Sequence, residues 1–255
     1  MKYKNIFFYF IISFIFILLN QINAQEIHLL CVSFDQDDSV KLQQQFAKID
    51  TIIINKNVII ISPQKYEYIY DENFINVFSP EILFEISDTN IVNNCNHKII
   101  ASNIKIYYEE SELKFFQSEI ITLSDTLKIG IVGIVTPDFL NLYPELSSDI
   151  EFRFDIFDCA KEVVDSLRNQ NVDIIISLNY LGDFLDEELI KKIPEIDFII
   201  DGFDTYFKRY YRNDIHPNKI ININFQQPLM IDITFYLERN EDNQVIIDSL
   251  GINSQ

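Results

Sequence analysis

The sequence predicts an α/β domain built around a buried sheet. Three observations carry that expectation. Val172–Leu178 (VDIIISL) and Ile196–Ile200 (IDFII) are short β-branched runs, apolar almost throughout, as strands covered on both faces must be. A stretch from Asp155 to about Asn169 places Ile156, Phe157, Ala160, Val163, Val164 and Leu167 on one helical face. A second short helix, Asp186–Ile193, separates the two runs, and such strand–helix–strand alternation calls for crossover connections over a covered sheet.

Residues 1–24 stand apart from the fold. Lys2 and Lys4 precede an apolar run of 14 residues, Ile6 to Leu19, broken only by Ser13. That is the layout of a secretory leader and is short for a membrane span. Ala24 supplies a small residue for cleavage. Ile22 fits the same pattern poorly, so an uncleaved anchor stays open. The expectation is an exported protein, periplasmic or extracellular, with a single domain over 25–255 and no transmembrane span once the leader is removed.

The elements follow in order. Glu26–Phe34 reads as a first buried strand, Asp38–Ile49 as a polar helix and Asn57–Ile61 as a second strand. Pro80–Ile86 reads as a short helix with proline at its favoured first position. Lys98–Tyr108 and Glu119–Leu123 read as strands. Leu127–Val135 (LKIGIVGIV) is a strong buried strand ended by Thr136-Pro137. Asp155 is placed to cap the next helix. Lys219–Phe225 and Leu229–Leu237, joined by Gln226-Gln227-Pro228, read as a closing antiparallel pair. The tail beyond Glu238 is polar until Val245–Ile247.

Composition narrows the function classes. An apolar content of 48% supports a real core, and 5 glycines with 7 prolines leave little material for a linker. Without Lys2 and Lys4 the basic count falls from 20 to 18 against 39 acids, a formal balance of −21. Such a surface repels phosphate backbones, which argues against nucleic-acid binding. Anionic phosphate substrates are repelled too, unless metal ions reverse the local field. Cys31, Cys95 and Cys159 lie 64 residues apart with no C-x-x-C pair, so zinc-knuckle spacing is absent. Three buried thiols are the simplest reading, and one disulfide with a thiol left over is the alternative in an oxidising compartment. No G-x-S-x-G elbow, glycine-rich phosphate loop or H-E-x-x-H occurs.

One block carries more information. Leu178–Thr205 reads LNYLGDFLDEELIKKIPEIDFIIDGFDT. It resembles the L-S-H-L-G … D-x-x-L-A-x-x-V-P-G-I-D-x-I-x-G-G-H-S-H block of 5′-nucleotidase-type (calcineurin-like) metallophosphoesterase domains. Tyr180 and Phe203 stand where the family has the histidines of L-S-H-L-G and the first of G-H-S-H, with the same separation of 23 residues. Leu178, Leu181, Gly182, Asp186, Leu189, Pro194, Ile196, Asp197 and Gly202 also match. Lys128–Pro137 resembles the family's K-I-G-I-I-G-L-T-T-P strand, Ala101–Ile104 its A-x-N-hydrophobic strand, and Phe154-Asp155 its F-x-D-P helix start. The likeness covers about residues 98–206. It implies an αββα sandwich, mixed sheets flanked by helices, with a site at the strand ends where two divalent metals activate water against phosphorus.

The ligand positions do not follow. Tyr180 replaces one imidazole with a neutral phenol, a poor ligand for a hard divalent ion. Phe203 and Thr205 replace the two of G-H-S-H. The opening N-D-x-H falls either on Ser33, Phe34, Asp35 and Gln36 or, shifted by one, on Phe34, Asp35, Gln36 and Asp37. Placing P-E-x-L on Pro80–Leu83 puts G-N-H-E-F on Glu72–Asn76, which retains Asn73 and makes the catalytic histidine Phe74. Asp35 and Asn73 are the residual ligand candidates. His28, His97 and His216 are scattered and occupy no motif position. The resulting expectation is a binding or interaction module on a phosphoesterase scaffold, with no catalytic residue and no cofactor. Tyr206, Phe207, Arg209 and Tyr210, in a basic-aromatic stretch, form its candidate contact surface for a protein partner. The alternative is an active hydrolase of phosphoesters or nucleotides with a divalent metal pair held by remodelled ligands, drawn from Asp35, Asp37, Asn73, Asp204 or His216.

Overall fold

The structure is a computed structural model that describes residues 25–33, 57–62, 74–77, 98–106, 114–123, 127–142, 144, 150–202, 220–223, 229–240 and 244–254. The strands are β1 (Gln25–Ser33), β2 (Asn57–Ser62), β3 (Phe74–Val77), β4 (Lys98–Ile100), β5 (Ile104–Ile106), β6 (Lys114–Phe116), β7 (Ser118–Leu123), β8 (Leu127–Val132), β9 (Ile150–Phe152), β10 (Ile174–Asn179), β11 (Phe198–Asp201), β12 (Ile220–Asn222), β13 (Leu229–Arg239) and β14 (Val245–Ser254). The helices are α1 (Phe139–Leu142), α2 (Ile156–Asn169) and α3 (Asp183–Lys192). The expected helices at 38–49 and 80–86 lie outside the described residues.

Two mixed sheets face each other. The first has the order β14-β13-β1-β2-β3-β4-β6 and the second β12-β11-β10-β8-β7, with β5 and β9 forming a small antiparallel ribbon. The strands from β1 through β6 in the first sheet run parallel, while β13 and β14 are antiparallel. In the second, β8, β10, β11 and β12 are parallel and β7 is antiparallel. One apolar layer fills the space between the sheets. Ile27, Leu29 and Cys31 of β1 meet Ile129 and Ile131 of β8, Ile174, Ile176 and Leu178 of β10, and Phe198 and Ile200 of β11. The Phe198 and Phe235 rings cross edge-to-face at 4.8 Å, a favoured aromatic geometry. Ile175 and Ile199 point the other way, into a second layer with Ile156, Val164 and Leu167 of α2 and Leu189 and Ile190 of α3. Sheet, sheet and helix layers thus follow from the period-2 alternation of β10 and β11 and the one-sided apolar face of α2.

Several expectations change. Where one strand was expected from Lys98, β4 and β5 are separate strands in different sheets, because the chain turns at Ser102-Asn103. Buried Asn103 makes the turn possible: its Nδ2 donates to the Val135 carbonyl at 2.9 Å and its Oδ1 accepts from the Val135 N–H at 3.0 Å, as a strand neighbour would. Beyond Val132 strand pairing gives way at Gly133, where a Cβ would sit 2.3 Å from the Ile100 carbonyl oxygen. Asp155 occupies the capping position of α2 but makes no side-chain cap bond; its carboxylate accepts from Arg153 instead. α3 starts at Asp183, three residues early, because Gly182 takes a positive φ of 87° that turns the chain into the helix. β12 and β13 are not a hairpin: β12 extends the second sheet parallel to β11, while β13 joins the first beside β1. The tail forms a full strand, β14, paired with β13. Cys31 and Cys159 are free and buried, and burial raises both thiols above their ordinary range. Cys95 lies outside the described residues.

Candidate functional site

In open parallel sheets, ligands bind beyond the carboxyl ends of the strands. At that end of the second sheet the sequence changes character. β10 runs IIISLN and β11 runs FIID, so each apolar strand closes on a polar residue. Asn179 pairs in register with Asp201, and Asp201 with Asn222 of β12. Asn179 and Asp201 are fully buried.

Buried polar groups require partners, and these have them. Asn179 Oδ1 accepts from Ser177 Oγ at 2.6 Å and from the Ile134 N–H at 3.3 Å, and its Nδ2 donates to Asp186 Oδ1 at 2.6 Å. Asp201 Oδ1 accepts from the Leu181 N–H at 3.1 Å. Asn222 Nδ2 donates to Asp183. Asp183 and Asp186 lie in the first turn of α3, where carboxylates also meet the favourable end of the helix dipole.

Tyr180 sits in the middle of this mesh. Its N–H donates to the Ile134 carbonyl at 2.8 Å, its own carbonyl accepts from the Thr136 N–H at 2.7 Å, and it forms a bridge with Val135. Its side chain is half-buried against a cluster of Ala101, Ile104, Val135, Phe139, Ile150 and Phe152. Phe154 continues the cluster outward, with its ring 5.4 Å from Phe152 and 64% exposed. Phe184, in the first turn of α3, is 75% exposed. Arg153 grips Asp155 and Glu162 at 2.6 and 2.7 Å. Its hydrogen bonds hold both carboxyls below the usual carboxylate range.

The remaining sequence-predicted residues fall in three places. Phe74 opens β3, where it pairs with Ile60. It is three residues before the last residue of that strand, about 10 Å from its carboxyl end at roughly 3.3 Å per residue. His28 lies on β1, buried, with Nδ1 2.8 Å from Asp232 Oδ1 and 3.2 Å from Thr234 Oγ1. Both contacts use the same nitrogen, and Nε2 lies 3.7 Å from Glu26 Oε2. Asp35, Asp37, Asn73, His97, Phe203, Asp204, Thr205, Tyr206, Phe207, Arg209, Tyr210 and His216 lie outside the described residues. Among the described residues no group of three or more His, Cys, Asp or Glu side chains is arranged to hold a metal ion. None of the described helices is long and apolar enough to cross a membrane.

The sequence reading missed the strand-end pair Asn179 and Asp201. The available signal was a polar residue closing an otherwise apolar run in two consecutive strands.

Two facing mixed sheets, helices packed on the outer face of the second, and a polar carboxyl end make this the fold of calcineurin-like phosphoesterases and 5′-nucleotidases. The calcineurin-like phosphoesterase YfkN from Bacillus subtilis superposes with a TM-score of 0.60 at 15% identity, over 91% of this chain and 90% of that one. The NAD nucleotidase NadN from Haemophilus influenzae gives 0.58 at 14% identity, over 89% and 56%. A 5′-nucleotidase precursor from Thermus thermophilus gives 0.58 at 13%, over 90% and 54%. In sequence, the protein UshA of Yersinia enterocolitica is 28% identical over 118 residues, 41% of this chain and 21% of that one. The chain therefore spans about half the length of the matched nucleotidase structures and about a fifth of UshA. No known protein-family profile matches it.

Proposed function

We propose that this chain is an exported binding or interaction module on a 5′-nucleotidase-like scaffold that has lost dinuclear-metal catalysis. The observation that carries the reading is the setting of Tyr180. It stands where the resemblance implies a metal-binding histidine, and its ring packs against an apolar cluster. Among the described residues at the carboxyl ends of β10 and β11 there is no imidazole to offer a divalent pair. A phenol is a poor ligand for a hard divalent ion, and beside it the Asn179 amide is engaged with Ser177 and Asp186, while Asp201 accepts from the Leu181 N–H through Oδ1. Folds outlive their chemistry, because packing does not require metal ligands. Export rests on the leader-like pattern of Lys2, Lys4 and Ile6–Leu19, and the match to a nucleotidase precursor agrees with it. Tyr206, Phe207, Arg209 and Tyr210 supply the contact surface of the reading, as a basic-aromatic stretch in an acidic chain.

Elemental analysis of the purified protein, followed by phosphoester and nucleotide hydrolysis assays with added Mn²⁺, Zn²⁺ or Mg²⁺, tests this. The expected result is no stoichiometric metal and no turnover. Bound metal together with turnover that disappears in Asp35→Ala would overturn the reading in favour of a hydrolase with remodelled ligands.

A further inference from the structure

We infer that Asn179 and Asp201 are positioning residues that fix the backbone on either side of Tyr180 in one conformation through their hydrogen bonds. The inference rests on the metal-free reading above and gives it a physical mechanism. A loop at a strand end is ordinarily the least ordered part of a sheet, because its backbone groups have left the ladder. Here residues 179, 180 and 181 are each tied. The Asn179 carbonyl accepts from the Gly202 N–H at 2.8 Å, and its side chain reaches Ile134, Ser177 and Asp186. Tyr180 exchanges bonds with Ile134 and Thr136. Leu181 donates to Asp201. The ties come from three separate segments: the continuation of β8, the end of β11 and the first turn of α3. Both side chains are fully buried, so water does not compete for these bonds.

Amide hydrogen exchange on the full exported chain, in buffer with EDTA, tests this. In Asp201→Ala the Leu181 amide is expected to exchange at least tenfold faster, while amides in the middle of α2 keep their rates. Asp201→Asn retains an acceptor oxygen for the Leu181 N–H and is expected to restore most of the protection. Asn179→Ser is expected to accelerate the Ile134 amide by a similar factor. Unchanged Leu181 exchange in Asp201→Ala would overturn the inference, as would an Asp201→Asn variant no better protected than Asp201→Ala. Should an alanine variant unfold, the folded Asp201→Asn and Asn179→Ser proteins still carry the comparison. Protection of Leu181 in the parent protein that collapses when EDTA is added would also overturn it. The metal and turnover assays read the functional proposal separately.

Discussion

The two ends of β10 and β11 are held by different means. At the amino end, the half-buried Arg168 guanidinium reaches out of the last turn of α2. It donates to the Val172, Asp173 and Glu195 carbonyls and to the Asp197 carboxylate. Asp197 in turn accepts from the Ile175 N–H at 2.8 Å. At the carboxyl end, two fully buried groups, an amide and a carboxylate, accept from backbone N–H groups. A guanidinium gathers several acceptors while keeping one edge in water, which suits a structural seam. Buried Asn and Asp define angles and positions at the expense of stability, which suits a surface whose shape matters. The difference separates an end tied by a cation that keeps contact with water from an end tied by groups wholly inside.

Three perturbations sharpen that contrast, and the largest effect is expected at Gly133. An added methyl group would press on the Ile100 carbonyl oxygen at 2.3 Å and approach the Leu178 oxygen at 3.1 Å, both rigid backbone. Gly133→Ala should therefore lower the free energy of unfolding by about 3 kcal/mol or more, measured by urea titration. A loss under about 1 kcal/mol would mean that the two sheets yield at this point. Arg168→Ala comes next. It removes four hydrogen bonds from a partly exposed seam and is expected to lower stability by about 2 kcal/mol, without altering Leu181 amide exchange. Coupling of the two readouts would erase the distinction between the ends. The smallest effect belongs to the exposed Arg153 fork. Its bonds depress the Asp155 and Glu162 carboxyls in the folded protein, so their contribution is present at neutral pH and fades as pH falls below about 4. Arg153→Gln should lower the neutral midpoint slightly and flatten the acid-side decline, so that the two proteins converge at low pH.

The second sheet was largely legible in advance. Apolar strands and a one-sided helix are local patterns, and the match across Leu178–Thr205 placed β10, α3 and β11 in order. The reading failed where long-range contacts decide. Lys98–Tyr108 has the composition of one strand, and only the Asn103 clip onto Val135 shows that the chain changes sheets there. β12 and β13 looked like neighbours because they are adjacent in sequence, yet their partners are β11 and β1. β14 carries Asp248, Ser249 and Gly251 within a polar tail, and pairing with β13 determines its conformation more than its own propensity does. Of the site, the sequence marked Tyr180 through the motif it departs from. Asn179 and Asp201 went unmarked, because their significance depends on being buried side by side.

The pairing of β1 with β13 has a consequence for how the chain reaches this state. His28 and Asp232 are 204 positions apart, yet the strands that bear them are neighbours over nine residue pairs, Gln25 to Ser33. A nascent chain therefore completes the pairing of β1 only after β13, which bears Asp232, has been synthesised. Closing so large a loop is slow, and the early strands meanwhile remain without their final neighbour. Assembly of the first sheet is thus a late event, timed by the emergence of β13 and β14.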